Sequence, residues 1–314
     1  MEGIKNVIFW PFPKYRHSFP WLDIFLKALI KVQVPVYEGA EPAALKMQPI
    51  VFSHGLSANR MSYSGFNMEL ASCGYCVFTI SHNDTSSDYT PKVGKFNSTT
   101  KAHDYNLRKY QVTIRENEIL GLARDVDSKE VLRLISSEWE MVKLTEDLVL
   151  LGHSFGGVSV FGAASRCLKA KAVVGIDPWF FPRHKDQIGS ADHQKSCIML
   201  SEKWWPCIAR WTQGECHIDK EIIKFSNNSV HKPDEFELKG LDHFNQSDMM
   251  ILIPFEENLR ASGGKLMPHP QYLEHYLVNI WLAMDFLERQ GLCSNPEMQK
   301  DIKPRLAAVR HIFE

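Results

Sequence analysis

Residues 148–157 read LVLLGHSFGG, and this stretch decides the fold. Its first four residues form a short, continuous apolar run, which predicts a strand buried on both faces of a parallel sheet. A G-x-S-x-G pentapeptide at 152–156 and a small-residue helical stretch at 157–164 follow. A strand, a tight turn and a helix in this order predict a nucleophile elbow that presents the hydroxyl of Ser154, because glycine tolerates the close backbone contacts around the turn. The alternative is an ordinary glycine-rich turn without chemistry.

A serine nucleophile needs a base, and the base needs an orienting acid. In folds with this elbow they follow in the chain order serine, Asp or Glu, histidine, so both lie beyond Ser154. Residues 171–176 (KAVVGI) predict the next buried strand, and Asp177-Pro178 ends it. Carboxylates at strand ends face the carboxyl edge of a parallel sheet, where such sites lie, so Asp177 is the candidate acid. The alternative is an aspartate that only initiates a turn before proline.

The candidate base is His243. It follows a predicted strand at 235–239 and a turn at 240–242, and it precedes an apolar helical run at 249–253. A histidine on a loop beyond a late strand can reach the elbow, and His231 is its nearest rival. Any one of the downstream histidines has an alternative reading as a surface or core residue; the others are His184, His193, His217, His269, His275 and His311.

An oxyanion hole needs two backbone N–H donors near the nucleophile. One donor is expected from the residue after the nucleophile, Phe155. The second is expected from a loop after an earlier strand. Residues 49–52 predict that strand, and the loop Ser53-His54-Gly55-Leu56 follows it, which makes the N–H of Leu56 the candidate donor and His54 a scaffold residue.

Composition favours a single intracellular enzyme domain. The chain has 314 residues, of which 44% are hydrophobic and 23% charged, so we expect one α/β domain over residues 1–314. A net charge of -1 gives no general attraction to nucleic acid, and we predict no nucleic-acid partner. Seven cysteines without regular spacing indicate reduced thiols and a cytoplasmic location, with Cys73 and Cys76 as core residues.

The first 48 residues are expected to form an N-terminal extension. We predict no secretory signal among them, and we expect no membrane span, since the chain has no apolar stretch of about 18 residues. Residues 20–33 predict an amphipathic helix, with Trp21, Phe25 and Leu29 on its apolar face and lysines on the other. Such a helix suits peripheral contact with a phospholipid surface. An ordinary surface helix packed on the core is the alternative.

Aromatic residues follow two of the predicted strands. Trp179, Phe180 and Phe181 come after the candidate acid, and Trp204 and Trp205 come after a strand predicted at 197–200. They are candidates for the wall of an acyl pocket, and ordinary packing is the alternative. The chain has no EF-hand loop, no H-E-x-x-H motif and no aspartate-rich run, so we predict neither a metal nor a cofactor.

Six motifs together give the chain a family resemblance: VFSHGL (51–56), CGYCVF (73–78), SHND (81–84), LGHSFGG (151–157), GIDPWFFP (175–182) and LDHFNQSD (241–248). From about residue 47 to about residue 260 the chain resembles the platelet-activating factor acetylhydrolases, which are group VII lipoprotein-associated phospholipases A2 of the α/β-hydrolase superfamily. The resemblance implies a mostly parallel central sheet flanked by helices.

The resemblance also implies an activity. Ser154 would be the nucleophile, Asp177 the acid and His243 the base, with Leu56 and Phe155 as oxyanion donors. The implied enzyme is a 1-alkyl-2-acetylglycerophosphocholine esterase, which cleaves short or oxidised sn-2 acyl chains from phospholipids without calcium. A neutral-ester lipase or carboxylesterase of the same fold is the first alternative, and an inactive hydrolase-fold binding protein is the second.

The chain departs from the family pattern in two places. Only 48 residues precede the strand at 49–52, where the family usually has a longer region, so N-terminal strands are expected to be shortened or missing. An edge strand left in this way would need cover. The oxyanion loop continues as Ser57 and Ala58, where the family often has glycine.

Overall fold

The structure is a computed structural model that describes residues 41–42, 46–90, 94–95, 104–135, 137–183, 185–186, 188–204, 208, 212, 214, 217–248, 269–292, 300 and 302–312. The described strands are β1 (Lys46–Ser53), β2 (Tyr75–Ile80), β3 (Tyr89–Thr90), β4 (Gly94–Lys95), β5 (Lys143–Leu144), β6 (Leu148–His153), β7 (Ala170–Ile176), β8 (Lys195–Ser201) and β9 (Asp234–Leu238). The described α-helices are α1 (Ser64–Ser72), α2 (Tyr105–Asp125), α3 (Lys129–Arg133), α4 (Phe155–Ala164), α5 (Ile218–Asn228), α6 (His269–Arg289) and α7 (Ile302–Ala308). Short 3₁₀ helices cover Ser137–Met141, Phe181–Arg183, His243–Gln246 and Arg310–Ile312.

A seven-stranded sheet forms the centre of the molecule. Its strands lie in the order β2-β1-β6-β7-β8-β9, with β5 paired to the start of β1, and the pairs described are all parallel. A separate antiparallel pair joins β3 to β4. Because the strands are parallel, the loops that follow β1, β6, β7, β8 and β9 all leave from one edge of the sheet.

Helices cover both faces of the sheet, which explains why the central strands are apolar throughout. In β6, Val149 and Leu151 face a core layer with α1, α6 and α7, whereas Leu148 and Leu150 face a layer with α2, α4 and α5. Every residue of β6 is buried. A strand covered on one side only would alternate between apolar and polar residues. The two buried layers therefore produce the continuous apolar run of the sequence.

Most predicted elements are present with shifted ends. The sequence also predicts a strand at 77–80, and all six predicted strands are present, as β1, β2, β6, β7, β8 and β9. It predicts a long helical region at 106–137 with a break near Asp127, and this break separates α2 from α3. Residues 61–72 predict a helix with Gly74 as its C-cap residue. The α1 helix begins at Ser64, not at Met61, because Tyr63 has φ -134, outside the helical range. Gly74 has φ 94, a conformation that glycine adopts readily.

Some elements were not predicted. Residues 81–101 are rich in Ser, Thr, Asp and Asn and predict a long loop, but they contain the β3–β4 pair. Helices α5 and α7 lie where the sequence analysis predicts no helix. The buried residues Ile218, Ile222 and Phe225 have the i, i+4, i+7 spacing of an apolar helix face, but the segment around them is short and charged.

Several predictions fall outside the described residues. They include the N-terminal strands, the helix at 20–33 with Trp21, Phe25 and Leu29, the helical run at 249–253 and the side chain of Trp205. Among the helices that the structure does describe, none is both long and apolar enough to cross a bilayer. Cys73 and Cys76 are buried in hydrophobic clusters, which confirms the prediction that they are core residues, and burial raises the pKa of Cys76 to about 12.

Candidate active site

Ser154 occupies a sharp turn between β6 and α4. Its φ of 57° and ψ of -116° lie outside the ordinary regions for a residue with a side chain. Glycines make this turn possible: a Cβ atom on Gly152 would lie 2.5 Å from the carbonyl oxygen of Gly156, and a Cβ atom on Gly156 would overlap the carbonyl oxygen of Ser53. The N–H of Ser154 donates to the carbonyl oxygen of Ile176 (2.8 Å), which ties the turn to the neighbouring strand.

The structure brings Ser154, Asp177 and His243 into one hydrogen-bonded chain. His243 Nε2 lies 3.0 Å from Ser154 Oγ, and His243 Nδ1 lies 3.1 Å from Asp177 Oδ2. All three side chains are buried, and they come from the loops after β6, β7 and β9. This is the geometry in which a histidine can take the proton of a serine hydroxyl while a carboxylate orients the imidazole.

Burial determines the protonation states of Asp177 and His243. It raises the pKa of Asp177 to about 6 and lowers the pKa of His243 to about 3. At neutral pH the carboxyl is therefore ionised and the imidazole is neutral. His243 then donates from Nδ1 to Asp177, and its Nε2 is the acceptor for the hydroxyl proton of Ser154.

Two residues that the sequence did not single out hold the carboxylate of Asp177. The N–H of Ser201 donates to Oδ1 (2.6 Å), and the Ser201 hydroxyl donates to Oδ2 (2.7 Å). The side-chain amide of Gln246 in turn donates to Ser201 Oγ (2.7 Å). Ser201 ends β8, the parallel neighbour of β7, so its place beside Asp177 follows from the strand order, which the sequence does not reveal.

The loop that carries His243 is also well anchored. It is a 3₁₀ helix with a capping box, in which the Asp242 side chain and the Asn245 side chain each bond to the backbone of the other end. The indole of Trp204 stacks on the imidazole of His243, with ring centroids 3.5 Å apart. His231, the other candidate base, precedes β9, and its Nε2 contacts the carbonyl oxygen of Asp192 (3.0 Å) instead of Ser154 or Asp177.

The two candidate oxyanion donors lie on neighbouring segments. β1 and β6 pair in register at Ser53 and Gly152, which places the loop with Leu56 beside the elbow with Phe155. Phe155 is the first residue of α4, where backbone N–H groups have no partner within the helix. Both segments thus present N–H groups at the edge of the sheet where Ser154 lies.

Tyr63 joins the oxyanion loop to the elbow. The N–H of Gly55 donates to the Tyr63 hydroxyl oxygen (3.1 Å), and this oxygen lies 2.7 Å from His153 Nδ1. Burial lowers the pKa of His153, so its imidazole is neutral. The ring of His153 lies 4.5 Å from that of His243, centroid to centroid. Tyr63 had no signal in the sequence, because it follows the oxyanion loop in a turn without a motif.

The aromatic residues after the strands lie mainly in the core. Trp179 is 1% exposed and packs on the Phe155 ring, with centroids 5.7 Å apart. Phe180 is 3% exposed and packs on Phe161 of α4 and Phe225 of α5. Both residues therefore have packing contacts in the core.

One group of side chains among the described residues has the composition of a metal site. His153, Asp177 and His243 offer ligand-type atoms within 4.8 Å of one another. Asp177 and His243 already bond to each other and, through Nε2, to Ser154. A metal bound at these atoms would displace both hydrogen bonds.

The chain is similar to several known proteins. The family model "Platelet-activating factor acetylhydrolase, isoform II" matches residues 12–288. Proteins named platelet-activating factor acetylhydrolase are similar to this chain in Gallus gallus (29% identity, over 58% of this chain and 48% of that protein) and Bos taurus (30%, over 49% and 40%). The matched segments thus span less than half the length of these two relatives.

More distant similarities cover more of the chain. A putative phospholipase A2 of Schizosaccharomyces pombe is 23% identical over 92% of this chain and 79% of its own. The solved structure of a ferulic acid esterase from Streptomyces cinnamoneus matches with a TM-score of 0.57 and 15% identity, over 83% of this chain and 72% of that one. At this identity the match concerns the fold alone, and it confirms the predicted α/β-hydrolase fold.

Proposed function

The chain belongs to the platelet-activating factor acetylhydrolase isoform II family, and on that premise we propose that it is a serine esterase that removes short or oxidised sn-2 acyl chains from phospholipids without calcium. The observation that carries the proposal is the hydrogen-bonded chain from Ser154 through His243 to Asp177 at the carboxyl edge of the sheet. The names of the relatives support the substrate class.

The proposed reaction passes through an acyl-enzyme. His243 Nε2 takes the hydroxyl proton as Ser154 Oγ attacks the sn-2 carbonyl carbon, and Asp177 stabilises the imidazolium. The carbonyl oxygen becomes an oxyanion, which accepts from the N–H groups of Leu56 and Phe155. The ester C–O bond then breaks, and the lysophospholipid leaves with the proton from His243. Water, deprotonated by the same histidine, attacks the acyl group and releases the acid and Ser154.

The residues predicted to contact the substrate or a lipid surface extend this proposal. Trp179, Phe180, Trp204 and Trp205 stay candidates for the wall of the acyl site. Contact with a phospholipid surface through Trp21, Phe25 and Leu29 stays a prediction. Replacing Trp21 and Phe25 with Ser is expected to reduce liposome binding while turnover of a soluble ester is retained, and unchanged liposome binding would contradict the contact.

The test compares two phosphatidylcholines, one with sn-2 acetyl and one with a long unoxidised sn-2 chain, in the presence of a calcium chelator. We expect rapid release of acetate, little release of the long chain, and a loss of at least roughly 10³-fold in Ser154→Ala. Equal cleavage of both lipids would favour the neutral-ester lipase or carboxylesterase. No cleavage of either, with no labelling of Ser154 by a fluorophosphonate, would favour the inactive binding protein.

A further inference from the structure

Arg115 is a buried cation beneath the oxyanion loop. It lies on α2 with 0% of its surface exposed, and its Nε atom is 2.9 Å from the carboxylate of Asp84, which is also buried. Burial lowers the pKa of Arg115, as expected for a charge removed from water. A buried ion pair often contributes no more to stability than apolar side chains of the same volume. The stability of the fold therefore does not by itself explain this arginine.

The guanidinium contacts the two carbonyl groups that precede Leu56. Nη1 donates to the carbonyl oxygen of His54 (2.5 Å), and Nη2 lies 3.5 Å from the carbonyl oxygen of Gly55. His54 Nδ1 also donates to the Gly55 oxygen (2.8 Å). In a trans peptide the C=O and the following N–H point in opposite directions. Because the Gly55 carbonyl points toward Arg115, the Leu56 N–H points away from Arg115.

The same guanidinium lies over the residue that carries the other donor. The Arg115 Cζ atom is 4.6 Å from the centroid of the Phe155 ring, within the range of a cation–π contact. Phe155 is itself fully buried, and Trp179 packs on it. One side chain thus contacts both segments from which the oxyanion donors come.

The loop after β2 holds the guanidinium in this position. Besides the ion pair with Asp84, the Ser86 hydroxyl oxygen accepts from Nη2 (2.6 Å) and Nε (3.1 Å) of Arg115. The Ser86 carbonyl oxygen accepts from the N–H of Ser57 (2.7 Å), the residue after Leu56. Ser57 has φ 56, a conformation uncommon for serine, so the loop is held in an unfavourable backbone shape by these contacts.

We propose that Arg115 is a positioning residue for the oxyanion hole: it fixes the peptide before Leu56 and the ring of Phe155 so that both N–H groups point at the same oxygen. This inference rests on the proposed function, because it assigns Arg115 a role in the esterase reaction. Arg115 does not touch the substrate and acts only through the two donor residues.

The test uses Arg115→Lys, which keeps the charge but loses the forked donor geometry. Arg183→Lys is the matched control, because Arg183 is also an ion-paired arginine, with 17% of its side chain exposed. Its guanidinium bonds to the carboxylates of Asp186 and of Glu116, which lies on α2 as Arg115 does. Ser86→Ala is a milder second variant that removes one acceptor of Arg115. The readouts are kcat, KM, the Ki of a trifluoromethyl ketone and thermal unfolding.

The trifluoromethyl ketone reports on the oxyanion hole directly. Ser154 Oγ adds to the carbonyl carbon of the ketone, and the hydroxyl proton moves to His243. The π electrons of the C=O bond move to the carbonyl oxygen, which becomes an oxyanion and needs both N–H donors. For Arg115→Lys we expect kcat to fall roughly 10- to 100-fold and Ki to rise by the same factor, with KM little changed. Ser86→Ala should lower kcat and raise Ki by about 3- to 10-fold each. Arg183→Lys should lower the unfolding temperature but keep kcat and Ki near wild type.

Two results would overturn the inference. One is a folded Arg115→Lys whose kcat and Ki stay within about twofold of wild type; the other is a loss of activity that appears in KM without a change in Ki. If Arg115→Lys does not fold, the same criteria applied to Ser86→Ala decide. A wild-type protein that hydrolyses no ester and forms no adduct would refute the proposed function, and this inference with it. An active wild-type protein with an unaffected variant would refute this inference alone.

Discussion

The indole of Trp204 lies flat on the imidazole of His243, with ring centroids 3.5 Å apart and planes inclined by only 8°. The sequence suggested Trp204 for the wall of an acyl pocket, but its contact is with the candidate base. A face-to-face stack restricts rotation of the imidazole, and Trp204 also keeps water from it, since the indole is 1% exposed. Trp204 therefore contributes both to the orientation of His243 and to its lowered pKa.

Replacing Trp204 with leucine is expected to lower kcat by up to about tenfold, because an aromatic pair contributes roughly 0.5–1.5 kcal/mol beyond its buried area. The pKa of His243 should rise toward its ordinary value as water enters. Trp204→Phe is the control, because it keeps a ring against the imidazole. Steady-state kinetics of both variants on a soluble ester check the prediction, and equal rates for the two variants would show that the stack has no role.

The activity should fall at acid pH as Asp177 is protonated. Burial raises the pKa of Asp177 to about 6, and the ionised form is the one that stabilises the imidazolium. Burial lowers the pKa of His243, and its hydrogen bond to Asp177 couples the two groups, so the decline reports protonation of the pair. We expect kcat/KM to decrease about tenfold per pH unit below about pH 6. A profile measured with p-nitrophenyl acetate that stays flat to about pH 4.5 would contradict this assignment.

Tyr63→Phe should damage the oxyanion loop. It removes the hydroxyl that accepts from the Gly55 N–H and contacts His153, and a buried donor left without an acceptor costs about 1–3 kcal/mol of unfolding free energy. We expect kcat to fall about tenfold as well, because the loop with Leu56 shifts.

The control for this variant is Tyr276→Phe. The Tyr276 hydroxyl donates to Asp248 Oδ1 (2.7 Å), a carboxylate that accepts from the N–H groups of Ser64 and Gly65 at the start of α1. Its loss should reduce stability while kcat is retained. Chemical denaturation gives the stability and steady-state kinetics give kcat; a Tyr63→Phe protein that loses stability but no activity would reduce Tyr63 to a structural residue.

Gly156→Ala should destroy the elbow, because the added Cβ would overlap the carbonyl oxygen of Ser53 in β1. We expect a nearly inactive protein with a lowered unfolding temperature. Gly121→Ala is the opposite case: it lies inside α2 with no atom within 4 Å of the added Cβ, and it should raise the free energy of unfolding by roughly 1 kcal/mol. Calorimetry and ester hydrolysis on both variants test the pair, and a fully active Gly156→Ala would contradict the turn geometry.

The parts of the site that rest on local patterns could be predicted from the sequence. Residues 148–157 carry the strand, the turn and the helix in one stretch, so the position of Ser154 follows from local sequence alone. Asp177 and His243 could be selected because chain order and strand ends restrict the choice. Their packing partners could not be selected, because Ser201 and Trp204 reach them only through the order of the strands.

Long-range polar contacts were beyond the reach of the sequence. Arg115 and Asp84 are 31 residues apart, and each lies in a polar segment where a charged side chain would normally face water. Their burial depends on how α2 packs across the loops after β1 and β2. For the same reason the aromatic segment after Asp177 was ambiguous: only packing shows that Phe180 faces α4 and α5.

The central claim is that Ser154 is the activated nucleophile, and covalent labelling tests it most directly. The protein is treated with a fluorophosphonate, and its intact mass and labelled peptide are measured. We predict one adduct, on Ser154, that is absent from Ser154→Ala and forms much more slowly in His243→Ala. An unlabelled wild-type protein, or an adduct on another residue with hydrolysis retained in Ser154→Ala, would contradict the account.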